Sequence, residues 1–242
     1  MQDATIYAIR KIGRRKNKGS TLASVCTINA ILKFDGPESP HCVYSEFVAL
    51  KLAQTFHIPV ADGVVVSTGA GQAYASLEVT SPGIDLPDLL RSQFKRAASL
   101  YPDKAAALVA FDLWIGNRDR EENLKASLVT PHVPLFRGFD HSHTLLNIES
   151  SATKSIERLR KGELIVDDHP FYKLVTYDNL RGWVDRIASL PSHYIDECCK
   201  FGRSFRNVDE RVQARLARAL DDRRHKLYQL IDSHTSTICG KP

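Results

Sequence analysis

Three side chains able to hold a metal ion, Asp119, Asn123 and Asp140, lie among apolar runs in the stretch from Phe111 to Leu146. The first two follow the helix-like segment Ala105 to Ile115 and sit in a polar turn, Asn117-Arg118-Asp119-Arg120-Glu121-Glu122-Asn123. Asp140 comes just after the strand-like Val133-Pro134-Leu135-Phe136. An ordinary core does not choose these groups. An acid that orients a hydroxyl, an amide that holds a cation and a second acid at a strand end are the parts of a phosphoryl-transfer site. Such a site also needs fixed positive charge for phosphate oxygens, and the elements that supply it have to be sought upstream.

Thr5 to Ile9 reads as a β-prone run, followed by a basic loop (Arg10, Lys11, Arg14, Arg15, Lys16, Lys18) that contains Gly13 and Gly19 and is placed to face phosphates. Thr21 to Phe34 is rich in β-branched residues and ends Ile31-Leu32-Lys33-Phe34, which predicts one or two strands. Taken alone, Lys33 is a lysine on the solvent side of an alternating strand. The next element changes that reading. After Gly36-Pro37 and Ser39-Pro40, Val43 to Phe56 has the spacing of an amphipathic helix and carries Glu46. A strand lysine followed by a helix glutamate is the pair that holds nucleotide phosphates in kinases. His57-Ile58-Pro59 closes the helix, and Gly63 to Ser67 and Ala73 to Val79 read as strands joined by the Gly69-Ala70-Gly71 turn. Thr80-Ser81-Pro82-Gly83 breaks the pattern. It predicts a hinge between a small β-rich part, residues 1–80, and a mainly helical part, residues 81–242. Backbone groups from Glu78 and Val79 to Thr80 are candidates to meet an adenine base; the plainer alternative is a strand-to-helix turn.

Beyond the hinge, helices are expected at Leu86 to Leu100, Ala105 to Ile115 (opened by Pro102-Asp103), Leu180 to Leu190, Ser192 to Phe201 and Val208 to Ile231. The last has an apolar stripe through Val212, Leu216, Leu220, Leu227 and Ile231; Trp183 and Tyr194 are expected in the core. Asn147 to Asp168 is polar and weakly periodic. It reads as a solvated connection or a mobile flap, with Ser150, Ser151 and Ser155, and Ser20 upstream, as phosphorylation candidates.

At 242 residues, 43% hydrophobic and 25% charged, the chain is long and apolar enough to build a large core, which argues against disorder. No apolar run reaches the roughly 20 residues of a membrane span, and no signal sequence is evident, so a cytoplasmic address is expected. The cysteines, Cys26, Cys42, Cys198, Cys199 and Cys239, are odd in number and lack metal-site spacing, and they read as free thiols. The net charge of +5 has no helix-turn-helix, zinc or aromatic ribonucleoprotein pattern beside it, so direct nucleic-acid binding is not expected. Arg211, Arg215, Arg218, Arg223, Arg224 and Lys226 read as a solvated helix face.

Over almost its whole length the chain resembles the HipA-like kinases, which have a protein-kinase-like fold related to phosphatidylinositol 3- and 4-kinases. The residues that carry the resemblance are Lys18-Gly19-Ser20-Thr21, Ile31-Leu32-Lys33-Phe34, the helix with Glu46, His57-Ile58-Pro59-Val60, Trp114-Ile115-Gly116-Asn117-Arg118-Asp119-Arg120 and Phe139-Asp140-His141. The resemblance implies an α+β, two-lobed fold and an ATP- and magnesium-dependent kinase acting on a hydroxyl, most readily serine or threonine of a protein. It implies that Gly19, Ser20 and Thr21 cover the phosphates, that Lys33 contacts them and pairs with Glu46, that Asp119 accepts the hydroxyl proton, and that Asn123 and Asp140 hold magnesium. His141 and His143 are poor ligands for so hard a cation, and a hydrogen-bonding histidine beside Asp140 is expected instead. An antitoxin partner is a further implication. Asn123 follows Asp119 by four residues where the family has five. A nucleotide-binding regulatory module without turnover, or a phosphatidylinositol-type lipid kinase, are the alternatives.

Overall fold

The computed structural model describes residues 7, 9–16, 23–79, 86–128, 135–202 and 204–240. Strand β1 (Ile9–Lys16) pairs antiparallel with β2 (Ala23–Ile28), with register shifts on β1 between Ile9 and Lys11 and between Ile12 and Arg15. The basic cluster expected in a loop therefore lies mostly on a strand. An exposed ribbon imposes no burial cost on its charges, and the β-branched partner strand supplies the backbone ladder. Gly19, Ser20 and Thr21 fall outside the described residues.

Strands β3 (Ala30–Lys33), β4 (Gly63–Thr68) and β5 (Gly71–Leu77) form an antiparallel sheet in the order β3-β5-β4, with Lys33 opposite Tyr74. Helix α1 (Cys42–Phe56) packs against this sheet through Val43, Val48, Leu52 and their neighbours. It stops where His57 turns left-handed (φ 57°) and hands the chain to Ile58 and Pro59, as the proline demands.

The remainder is mainly helical: α2 (Phe94–Leu100), α3 (Pro102–Ile115), α4 (Ala152–Lys161), α5 (Tyr177–Ser189), α6 (Ser192–Cys199), α7 (Glu210–Ser233) and the short α8 (Thr235–Ile238). Two small hairpins interrupt it, β6 (Leu124–Ala126) with β7 (Phe136–Gly138) and β8 (Ser204–Phe205) with β9 (Val208–Asp209). Every residue of α3 from Ala105 to Ile115 is buried, so this helix, apolar on all sides except for Asp112, is the centre of the core. The stripe Leu216, Leu220, Leu227 and Ile231 of α7 packs into the same apolar cluster, and Trp114 Nε1 donates to Leu220 O at 2.9 Å. The fold is α+β. All five cysteines are free thiols, and no helix among the described residues is long and apolar enough to cross a membrane.

Three expectations about the helical part need correcting. The segment Asn147 to Asp168 is not an open flap: it contains α4, capped by Ser151 Oγ accepting from Lys154 N–H, and Ser155 is fully buried, donating to Leu146 O at 2.9 Å. The serines that looked like solvent are a helix cap and an internal tie, which sequence polarity alone does not distinguish. Arg223 and Arg224 leave the solvated face of α7 for the interior. Arg223 donates to the carbonyls of Leu113, Leu159 and Glu163, and Arg224 to Ala188 O and Leu190 O. These carbonyls lie in the last turns of α3, α4 and α5 or just beyond them, where intrahelical donors run out, and the five-pronged guanidinium supplies donors instead. Tyr194 is 44% exposed, whereas Trp183 is buried as expected.

Candidate active site

Strand β3 inverts the usual burial pattern. Its apolar Ile31 and Leu32 are 59% and 49% exposed, while the side chain of Lys33 is only 13% exposed. A buried ammonium is tolerated only with compensating charge. Glu46 provides it from α1, with Lys33 Nζ 2.6 Å from Oε1, and Asp140 provides more, with Nζ 2.9 Å from Oδ2. Burial works against the charged lysine, but the two carboxylates outweigh it and hold its pKa above the ordinary value. Glu46 is itself 2% exposed; desolvation opposes its ionisation, and the hydrogen bond from His141 with the charge of Lys33 prevails, so its carboxyl lies below the usual range. Asp140 behaves alike: desolvation is overcome by Lys33 and by Ser142, whose N–H and Oγ–H donate to Oδ1 at 3.1 and 2.6 Å. Asp140 adopts a left-handed backbone (φ 57°), a strained conformation for a residue other than glycine, of the kind concentrated at functional sites.

The polar turn begins at the end of α3. Gly116 takes φ 73°, and both its N–H and that of Asn117 donate to Asp112 O at 2.9 Å. Asn117 Oδ1 accepts from Asp119 N–H at 3.1 Å, which orders the backbone while the Asp119 side chain stays exposed. The Asp119 carboxylate has no hydrogen-bond or ion-pair partner among the described residues. Four residues on, Asn123 closes the turn: its N–H donates to Arg120 O at 3.1 Å and its Nδ2 to Asp119 O at 2.6 Å, leaving the amide oxygen without a donor among the described residues. Phe139 N–H donates to Asn123 O at 3.1 Å, continuing the β6–β7 ladder, in which Leu124 faces Gly138. The hairpin thus sets Asn123 opposite Phe139, one residue from Asp140. The four-residue step is accommodated as a tight turn.

Beneath these groups is a buried polar network that the sequence reading did not single out as functional. Asp112, fully buried within apolar α3, accepts from Arg120 Nε and Nη2 at 2.8 and 2.9 Å, from Asn117 Nδ2 at 3.0 Å, and has His169 Nε2 at 3.0 Å. Arg120 Nη1 donates to Asn123 O and Phe139 O at 3.2 and 2.7 Å, and Nη2 also meets His141 Nε2 at 3.0 Å. His141 N–H donates to Glu46 Oε1 at 3.0 Å. The available signal was a lone aspartate in the otherwise apolar run Ala105 to Ile115, since such a charge needs a buried partner. Its partner could not be read from spacing.

Of the groups expected to meet a nucleotide base, Glu78 uses its N–H on Asn29 O at 3.2 Å. Val79 is buried in a small apolar cluster with Ala61 and Leu135, against which Phe139 packs. The structure therefore gathers Lys33, Glu46 and Asp140 into one ion cluster, joins Asp119 and Asn123 in one turn beside it, and keeps Val79 in the apolar cluster that reaches Phe139.

The fold that holds these groups is similar to that of solved HipA-like kinases. Among solved structures the chain is similar to HipA of Shewanella oneidensis, determined in a toxin–antitoxin complex with HipB and operator DNA, with a TM-score of 0.60, 15% identity, and 98% of this chain and 67% of that one covered. It is also similar to the proinflammatory kinase CtkA of Helicobacter pylori, with a TM-score of 0.58 and 15% identity over 86% of this chain and 90% of that one. No protein-family model and no curated protein sequence matches the chain.

Proposed function

We propose that this chain is a two-lobed kinase that transfers the γ-phosphoryl group of ATP, with magnesium, to a hydroxyl, foremost serine or threonine of a protein. The observation that carries the reading is the buried Lys33, held charged between Glu46 and Asp140, with the turn that hydrogen-bonds to Phe139, the residue before Asp140, carrying an Asp119 carboxylate that no side chain among the described residues occupies. Phosphoryl transfer asks a protein for placed positive charge and an oriented acceptor more than for covalent chemistry. Lys33 supplies a fixed cation for phosphate oxygens, and Glu46 keeps its ammonium from wandering. Asp119 accepts the hydrogen bond of the acceptor hydroxyl and orients its oxygen for attack; the proton passes to its carboxylate as the new oxygen–phosphorus bond forms and the bond from the γ-phosphorus to its bridging oxygen breaks, releasing ADP.

The donor set fits magnesium. The described residues hold no cluster of three or more His, Cys, Asp or Glu able to cage a metal, and magnesium needs none, since it takes one or two protein oxygens and completes its shell with phosphates and water. The amide oxygen of Asn123, which meets no donor among the described residues, and the carboxylate of Asp140 would be those oxygens. When bound, the ion supplies charge neutralisation on the phosphates. HipB in the HipA structure makes an antitoxin partner for this chain part of the same proposal.

The test is incubation with γ-labelled ATP and magnesium, offering a protein lysate and phosphatidylinositol vesicles as acceptors, alongside Asp119→Ala and Asp140→Ala. Label on protein that both variants lose is the expected result. Nucleotide binding with equal background label in all three proteins would overturn the kinase reading, and label on vesicles alone would replace the protein acceptor with a lipid.

A further inference from the structure

The ring of His141 sits where two halves of the site meet. One half is the Lys33–Glu46–Asp140 ion cluster; the other is the turn that carries Asp119 and Asn123, anchored by Arg120. His141 touches both. Its Nε2 lies 3.0 Å from Arg120 Nη2, and its Nδ1 lies 3.5 Å from Glu46 Oε2, while its own N–H reaches Glu46 Oε1 at 3.0 Å. An arginine can only donate, so Nε2 accepts and the ring proton sits on Nδ1, toward the glutamate. The direction of every hydrogen bond along the chain from Asp112 through Arg120 and His141 to Glu46 is thereby settled.

Arg120 is well placed to transmit position. Its remaining donors hold Asp112, the carbonyl of Asn123 and the carbonyl of Phe139, the residue before Asp140. A shift of Arg120 therefore moves both ends of the metal-donor pair and the turn with Asp119. Lys33 binds Glu46 and Asp140 directly, so the ion cluster does not need the imidazole to exist. Through side chains, what the ring adds is the tie between the cluster and the turn. Phe111 packs edge-on against the ring, with centroids 6.0 Å apart, so a purely aromatic side chain would keep the packing and lose only the polar tie.

We infer that His141 is a positioning residue: its imidazole bridges Arg120 and Glu46 and sets the acceptor-orienting turn in register with the phosphate-binding lysine. This inference rests on the kinase reading for its catalytic consequence, but its structural core can be tested without turnover. Misplacement by about 1 Å of a group that positions reactants costs on the order of a hundredfold in rate.

The experiment compares the wild-type chain with His141→Phe, which preserves the aromatic packing, and His141→Gln, whose amide can again accept from Arg120 and donate to Glu46. Amide hydrogen exchange is followed in residues 117–123 and, as an internal control, in α7, together with kcat and the KM for ATP. The phenylalanine variant should exchange about tenfold faster across 117–123 with α7 unchanged. It should lose about tenfold or more in kcat with KM within about twofold, because Lys33 keeps its partners. The glutamine variant should recover most of both. Wild-type exchange in 117–123 for the phenylalanine variant, or a glutamine variant no better than phenylalanine, would overturn the inference. A wild-type chain that transfers no phosphoryl group defeats the kinase reading alone, and the exchange comparison then decides the bridge by itself.

Discussion

A lysine more buried than the isoleucine and leucine beside it on one strand is the most informative residue in the chain. Ile31 and Leu32 face opposite sides of β3, so apolar burial favours neither orientation, and the two carboxylates that meet Lys33 account for its burial. Lys33→Met removes the compensating cation from a buried glutamate. It is expected to destabilise the fold by about 3 kcal/mol, read as the denaturant midpoint, and to weaken nucleotide binding in titration calorimetry. Asp119 is the opposite case. With an exposed carboxylate that has no partner among the described residues, Asp119→Ala should change stability by less than about 0.5 kcal/mol. Phosphoryl transfer should nevertheless fall by about a hundred- to ten-thousand-fold. If the two losses tracked one another, the residue would be structural.

At the level of elements, the site hangs on how α3 ends. Gly116 is left-handed at φ 73°, and a Cβ there would lie 2.5 Å from Ile148 Cδ1. The isoleucine tip can move aside, but the backbone strain remains. Gly116→Ala should cost about 1–2 kcal/mol and lower activity beyond that loss, since Asn117 and Asp119 follow directly. Helix α4 allows a sharper statement about modification. Ser155 is buried and hydrogen-bonded at both oxygen and proton, so mass spectrometry after incubation with ATP should find no phosphate on it, and Ser155→Glu should unfold the region by burying an unpaired charge. Ser150, exposed before α4, carries no such restriction.

For the whole molecule, buried charges that clip helices together set the response to mutation and acid. Arg223 joins α7 to the end of α3 and to α4, and Arg223→Met would strand the carbonyls of Leu113, Leu159 and Glu163; a loss of about 3 kcal/mol is expected, roughly 6–12 °C in the thermal midpoint. Acid acts through Asp112 and His169. Desolvation opposes the Asp112 charge, but Arg120 and His169 outweigh it and hold the carboxyl below its ordinary range; burial lowers the His169 pKa against the pull of Asp112. In both cases the unfolded chain takes up protons first, so stability falls as pH falls: from about 6.5 downward for the histidine and from about 4 downward for the aspartate. Thermal midpoints measured from neutral pH to about pH 3 should trace both losses, and Asp112→Asn, though less stable, should flatten the lower limb.

Local signals were enough wherever chain neighbours decide the outcome. The turn prolines at Pro37, Pro40 and Pro59, the period of α1 and α7, the Pro102-Asp103 start of α3 and the acid-rich turn after it are all properties of adjacent residues, and they placed Lys33, Glu46, Asp119, Asn123 and Asp140 in elements close to those observed. What spacing could not show was which distant groups meet. Asp112 and His169 are separated by 57 residues and Glu46 and His141 by 95, yet each pair is in contact, because a buried charge is stable only where the fold brings it a partner. The same physics misled the reading of Arg223, Arg224 and Ser155. Polar residues look like surface in a sequence, and only the tertiary structure decides when unpaired carbonyls and helix ends will draw them inside.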